Sequence, residues 1–468
     1  MELYSSNDSY KLYKGDMRNM LDVIQKESID AVLTDPPYEL NFMGKGWDNS
    51  GIAFQKETWQ KCYEVLKPGG YLLAFGGSRT FHRIACAIED AGFEIRDTIM
   101  WLYGSGFPKS MSLGKVIEGK QVLGSANVKD IKKLKGKKEI VGGGWNSNEV
   151  EQGKRKIEYE QIKTEVEYTT ELGKKWNGWG TALKPSFEPI IVARKPFKGS
   201  LVDNVIENGV GGINIDECRV SFNGDKWNNQ KSGSTAKAFN LNEQQREAGT
   251  GILAGYECRA NDNGRFPANT ILTYDETDFD EVCGGFPYTK GDNRTSKPTY
   301  DKSIWGNAKS VESSCLYADS GSASRYFYCA KASKKDRDEG LDEFEELKVN
   351  LKINGGDRAN DDKHIYNKTS VIRRNIHPTV KPTELMQYLV RLVTPNGGTI
   401  LDPFNGSGST GKAAMYENRE RNKNYKYIGI ELTEEYLPIA KARIEYVCNL
   451  PKEQKQSTIF DYLGDDDE

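Results

Sequence analysis

Thr399-Ile400-Leu401-Asp402-Pro403-Phe404-Asn405-Gly406-Ser407-Gly408-Ser409-Thr410-Gly411 decides the fold. An aliphatic run closing on an acid, then a glycine turn, then a helical pattern over Lys412–Glu420, reads as strand, turn and helix. That geometry lets a nucleotide-like ligand approach the backbone closely. Downstream, Tyr425 to Glu431 reads as a second strand, whose terminal carboxylate is placed to accept both hydroxyls of a ribose. Thr383 to Val393 carries Leu385, Met386, Leu389, Val390 and Val393 on one helical face, and Glu434 to Tyr446 predicts a last helix.

The beginning of the chain has the same texture. Ile29 to Thr34 is a short apolar run that stops at Asp35-Pro36-Pro37-Tyr38. Gln55 to Leu66 predicts a helix, ended by Lys67-Pro68-Gly69-Gly70. Tyr71–Phe75 predicts a buried strand, Arg79–Ala91 a helix and Glu94–Tyr103 another strand. Strands separated by helices of this length predict an α/β fold, a doubly wound, mostly parallel sheet. Between the two ends the sequence is rich in Gly, Asn, Ser, Lys and Asp, broken by the clear strand Glu188–Arg194. One α/β domain assembled from both ends and interrupted by a large irregular module is the economical reading.

Bulk properties exclude more than they assign. The 468 residues suit two or three domains. No run approaches the roughly 18 apolar residues of a membrane span, so no membrane partner and a cytoplasmic location are expected. The eight cysteines include no CxxC pair and there are three histidines, so no metal site is expected. Net charge is −3, yet Lys109 to Lys138 holds nine lysines against Glu118 and Asp130, while Asp465 to Glu468 is wholly acidic. Either run reads equally as a solvated surface.

The tetrapeptide after Thr34 carries the chemistry. It sits at the carboxyl end of a strand, where open α/β sheets bind ligands. Its prolines remove N–H donors and fix the backbone carbonyls. Asp35 and the Pro36 carbonyl are suited to accept the two hydrogens of an exocyclic amine, turning its lone pair toward an electrophile. Tyr38 offers a flat face for an extruded base. A phosphate-loop ATPase competes for the other motif, because Gly406 to Lys412 reads GSGSTGK. Against it, position 413 is Ala, which lacks the hydroxyl that would ligate magnesium.

Asp-Pro-Pro-Tyr first and Asp-Pro-Phe-x-Gly-Ser-Gly-Ser-Thr last, with a long insert between, resembles the permuted β group of amino-group DNA methyltransferases. Gly178–Pro185, Gly264–Asn269 and His377–Pro382 further resemble phage and prophage members. The resemblance implies a Rossmann-like methyltransferase fold, S-adenosylmethionine as donor and double-stranded DNA as substrate. N6 of adenine is the favoured target, since Asp at the first tetrapeptide position leans that way; N4 of cytosine and a DNA-binding protein without catalysis are the alternatives. Asp35, Pro36, Pro37 and Tyr38 would be catalytic. Asp402, Pro403, Phe404, Gly406, Ser407 and Gly408 would hold the donor, with Glu431 on its ribose, Lys381 toward its methionine end and Asp16 near its adenine. Asp16 reads equally as a helix N-cap for Met17 onward, and Lys381 as a helix-entry residue before Pro382.

The implied division is 1–104 for the catalytic half, 105–185 for a lysine-rich hairpin insert and 186–198 for a returning strand. Residues 199–375 would form the target-recognition region, 376–450 the cofactor half and 451–468 an acidic tail. A second copy of the chain and a separate restriction endonuclease are the protein partners left open.

Overall fold

The computed structural model describes residues 1–40, 50–103, 110–131, 134, 136–144, 159–220, 264–273, 288–289, 321–322, 327–329, 334–350 and 370–451. The acidic end of the tail and most of 199–375 lie outside the described residues. The chain divides into two compact units: Met1–Gly104, Phe187–Phe344 and Arg374–Glu468 form the first, Ser105–Ser186 and Glu345–Arg373 the second. Of the stretch 199–375, the described residues 345–350 and 370–373 fall in the second unit.

The first unit is built on one ten-stranded sheet. Its strands are β1 (Glu2–Ser6), β2 (Tyr10–Lys14), β3 (Ile29–Thr34), β4 (Leu66–Phe75), β5 (Glu94–Tyr103), β6 (Phe187–Arg194), β7 (Thr270–Thr273), β8 (Tyr328–Cys329), β9 (Thr399–Asp402) and β10 (Lys426–Glu431). The spatial order is β1-β2-β10-β9-β3-β4-β6-β5-β7-β8. The strands from the two ends of the chain thus interleave. β9 pairs in parallel with β10 on one side and with β3 on the other. Only β1 and β6 run antiparallel to their neighbours.

Alternation along the strands supplies two faces, and each is covered. Ala31, Leu33, Tyr71, Leu73 and Phe75 pack into one core with residues of α4 (Thr383–Val393), α5 (Ser409–Arg421) and α6 (Leu437–Asn449). Val32, Leu72 and Ala74, one step out of phase, pack on the other side with α1 (Lys56–Val65) and α2 (Phe81–Asp90). This is the doubly wound arrangement, and it follows from the period of two in the side-chain direction. The five apolar positions read on the α4 face are all buried.

Three details differ from the sequence reading. β4 begins at Leu66 rather than Tyr71, with Pro68 and Gly70 inside it. The pairing with β3 shifts register there, between Ile29 and Ala31, a bulge that lets proline sit in a strand. The last helix is split into a 3-10 turn, Glu434–Tyr436, and α6, which starts at the residue before Pro438 as proline at a helix N-terminus favours. β7 and β8, from the irregular middle, extend the sheet edge beyond β5, where Trp101 Nε1 donates to Thr273 Oγ1 at 2.9 Å. α3 (Leu201–Asn208) follows β6 behind a Ser200–Asp203 capping box.

The second unit contains a helix, Leu113–Val122, packed with the short helix Glu171–Lys175, and an antiparallel pair, Gly136–Gly144 with Tyr159–Val166. Glu118 is buried between them and accepts from the backbone N–H and hydroxyl of both Thr169 and Thr170.

Candidate active site

Parallel pairing sets the carboxyl ends of β2, β10, β9, β3 and β4 side by side. The two sequence motifs therefore meet. Thr34, the last residue of β3, donates its hydroxyl to Asp402 Oδ1 at 2.7 Å, and Thr410 donates to Asp402 Oδ2 at 2.7 Å. The Phe404 N–H adds a third donor at 3.1 Å. Burial pushes the Asp402 carboxyl up to about 6, with the three donors pulling against it. Asp402 is 3% exposed, so it acts as a fastener beneath the loop, joining the tetrapeptide strand to the glycine turn.

The glycines have separate jobs. Gly406 and Gly408 take φ of 51° and 74°, the left-handed region. A Cβ on Gly408 would lie 3.0 Å from Ala440 of α6, so this glycine serves helix packing. A Cβ on Gly406 would lie 2.8 Å from the ring of His377, which closes over the turn. Ser407, expected at the donor, is held from behind: the fully buried Arg443 donates to its carbonyl at 2.7 Å and its hydroxyl at 2.9 Å. Phe404 is only partly buried at the turn.

Glu431 closes the turn from β10. Its Oε2 accepts from the Gly406 N–H and its Oε1 from the Thr433 N–H, both at 2.7 Å. Burial pushes its carboxyl up to about 7. The Thr433 side chain hydrogen-bonds the same carboxylate. Of its roughly four acceptor positions one is left for a hydroxyl, which is compatible with a ribose-bearing donor. Asp16 reaches the same edge because the Gly15 N–H donates to the Glu431 carbonyl at 2.9 Å. Its carboxylate caps the Met17–Asp22 turn through Arg18 N–H and grips the Arg18 side chain. The N-cap reading and the edge placement coexist.

Around Asp35 the arrangement is electrostatic. Lys381 Nζ lies 2.6 Å from Asp35 Oδ2 and 3.5 Å from Glu188 Oε2, with its side chain 7% exposed. Sequence reasoning turned Lys381 toward a donor carboxylate; here two carboxylates of the chain engage it. Burial alone would lower the ammonium's pKa, yet Asp35 and Glu188 outweigh burial and raise it. Tyr38 donates its hydroxyl to Glu188 Oε2 at 2.9 Å, and Tyr103 donates to Oε1 at 3.4 Å. Asp35 Oδ1 is buried and, among the described residues, has no hydrogen-bond partner. Such an acceptor costs about 1–3 kcal/mol unless a donor arrives.

Lys412 settles the phosphate-loop reading. It is 0% exposed and pairs with Asp336 at 3.0 Å and Glu339 at 2.8 Å, turned into the protein rather than over the glycine loop. Asp336 also accepts from the Thr383 N–H and hydroxyl at the start of α4. Glu188, Tyr103, Asp336, Arg443 and the ring of His377 were not singled out from sequence. Tyr103, Glu188 and Arg443 fall in predicted strands and a predicted helix, but a periodic pattern says nothing about a polar partner that is remote in the chain. Asp336 lies in a stretch without periodicity, and His377 sits inside the His377–Pro382 segment.

A sequence profile described as N6/N4 DNA methylase matches residues 29–442. The type II methyltransferase M.ScaI of Streptomyces caespitosus is 37% identical over 78 residues, 17% of this chain and 24% of its own. M2.DpnII of Streptococcus pneumoniae is 44% identical over 69 residues, 15% of this chain and 24% of its own. The chain thus spans about a quarter of the length of these curated relatives. Among solved structures, the cytosine-N4-specific PvuII DNA methyltransferase aligns over 94% of this chain and 90% of its own, at 12% identity and a TM-score of 0.38. The M1.HpyAVI–SAM complex aligns over 93% and 99%, at 14% identity and a TM-score of 0.33.

Proposed function

The chain belongs to the N6/N4 DNA methylase family, and on that premise we propose that it transfers a methyl group from S-adenosylmethionine to N6 of an adenine extruded from double-stranded DNA. The observation that carries the reading is the buried, partnerless Oδ1 of Asp35, held one strand away from the glycine turn.

Bound at the turn, the donor supplies a methyl group already made electrophilic by a sulfonium charge. The protein positions rather than attacks. In this reading Glu431 takes a ribose hydroxyl, and Asp402 keeps the turn fixed to β3. Asp35 Oδ1 and the Pro36 carbonyl accept the two amino hydrogens. The ring of Tyr38, fixed by Glu188, stacks on the base and offsets part of the few kcal/mol spent on unstacking. With the donor bound, the held amine would take the methyl as the C–S bond breaks to give a neutral thioether, and Asp35 and the Pro36 carbonyl would keep the amino hydrogens oriented until the surplus proton passes to solvent. Orientation of this kind supplies much of the rate. A cytoplasmic site of action goes with this reading.

The test is methylation of mixed-sequence DNA by the purified chain, followed by nucleoside mass analysis. N6-methyladenine is expected, whereas N4-methylcytosine as the product would overturn the choice of base. Asp35→Ala should abolish transfer while leaving donor binding intact, and full activity in that variant would refute the role of Asp35.

A further inference from the structure

We propose that Glu188 is a positioning residue of the transfer step, sharing the Lys381 ammonium so that one oxygen of Asp35 stays clear for the substrate amine. The inference rests on the methyl-transfer reading.

An ammonium has three donors and no fixed fork. Opposite a single carboxylate it can straddle both oxygens. Here it is drawn to one side: Lys381 Nζ contacts Asp35 Oδ2 at 2.6 Å, and Glu188 Oε2 stands 3.5 Å away. Oδ1 is the oxygen left without a partner. Glu188 is itself immobilised. It belongs to β6, paired opposite Trp101 of β5, and the adjoining Pro189 carbonyl accepts from the Gly76 N–H at 2.9 Å. Its carboxylate gathers Tyr38, Tyr103 and Lys381, groups from three separate parts of the chain.

Charge points the same way. Asp35 and Glu188 together with one Lys381 leave the corner with a net negative charge. An amine that gains positive charge as its N–C bond forms is favoured in such a field. Lysine alone beside Asp35 would cancel that field and occupy the acceptor.

Glu188→Gln removes the charge while keeping the shape, and its single amide oxygen can still accept from Tyr38, at the expense of the longer contact with Tyr103. The expected result is a fall in kcat on the order of a hundredfold. The KM for donor, calorimetric donor affinity and the melting temperature should stay at wild-type values. Glu188→Asp, which restores the charge, should recover most of kcat. In a Lys381→Gln background Glu188→Gln should cost little further, since there is no cation left to share. Wild-type kcat in Glu188→Gln, or losses that simply multiply in the double variant, would overturn the assignment. A wild-type chain that transfers no methyl to DNA would overturn the functional reading as well, so the two failures are told apart.

Discussion

Lys412→Met separates a buried structural lysine from a phosphate-binding one. The ammonium is fully enclosed, with Asp336 at 3.0 Å and Glu339 at 2.8 Å, and those carboxylates are 12% and 16% exposed. At the effective dielectric of a protein interior, each contact of this length is worth about 4 kcal/mol or more before desolvation. Desolvation offsets much of that gain while the pair is intact. Once the lysine is removed, two largely buried carboxylates face each other with their closest cation gone, though Thr383, Tyr416 and the nearby Arg443 still support them. The net loss from breaking such a pair is about 3–5 kcal/mol. Urea unfolding should therefore show a stability lower by that amount, with an unchanged dependence on denaturant. Asp336→Asn added to Lys412→Met should recover part of it, because one stranded charge disappears. A phosphate-binding lysine predicts the reverse pattern, with stability intact and nucleotide hydrolysis lost. A change in stability below about 0.5 kcal/mol would refute the reasoning.

Further outcomes follow from the same geometry. Glu431 is raised from 4.5 to about 7 by burial, so the folded protein holds a proton that the unfolded chain gives up between these values. Stability should then fall as pH rises from about 4.5 to about 7, by up to about 3 kcal/mol, and Glu431→Gln should flatten that slope in a calorimetric pH series. Donor affinity should weaken as pH drops below about 7, since a protonated Glu431 accepts hydroxyls less well; calorimetry on the wild type against Glu431→Gln checks this, and parallel profiles would contradict it. Gly411→Ala would place a methyl 2.5 Å from Tyr427 and 2.6 Å from Ile444, so a loss of about 1–3 kcal/mol is expected in thermal unfolding. Thr34→Val removes one of the three donors to Asp402 and should lower stability by about 1 kcal/mol while reducing activity, because the tie between β3 and the turn is cut.

How much of this was legible can be argued from single residues. The elements at both ends were readable because they repeat: α4 has the helical spacing of its apolar face, and β3 and β4 have no polar residue to interrupt burial except Asp30, Thr34 and the turn residues. The meeting of Asp35 with the glycine turn was readable too, because parallel strands align their carboxyl ends. Roles inside the turn were less so. Ser407 and Gly408 belong to the motif, yet Ser407 is occupied by Arg443 and Gly408 makes room for Ala440. A motif marks where backbone and ligand come close, but does not say which side of the backbone each residue serves. The extension of the sheet by β7 and β8 left no pattern, since strands of four and two residues are too short to show a period.

The interruption also fixes the site, through contacts no motif announces. Arg337 donates to the carbonyls of His377 and Pro378, while Asp338 accepts from the Arg374 and Asn375 N–H groups. Asp336, one residue earlier, caps α4 and neutralises Lys412 of α5. Three consecutive residues of the middle segment thus clamp the loop that carries Lys381 onto the helix that follows the glycine turn. One end of the chain supplies the acid, the other the lysine, and 336–338 tie down the loop that carries the second. A long insertion in this fold is accordingly not a passive linker between two halves. Its short charged stretch bears on the geometry at Asp35, and that is why isolated acids in an aperiodic region carry as much of the site as the motifs do.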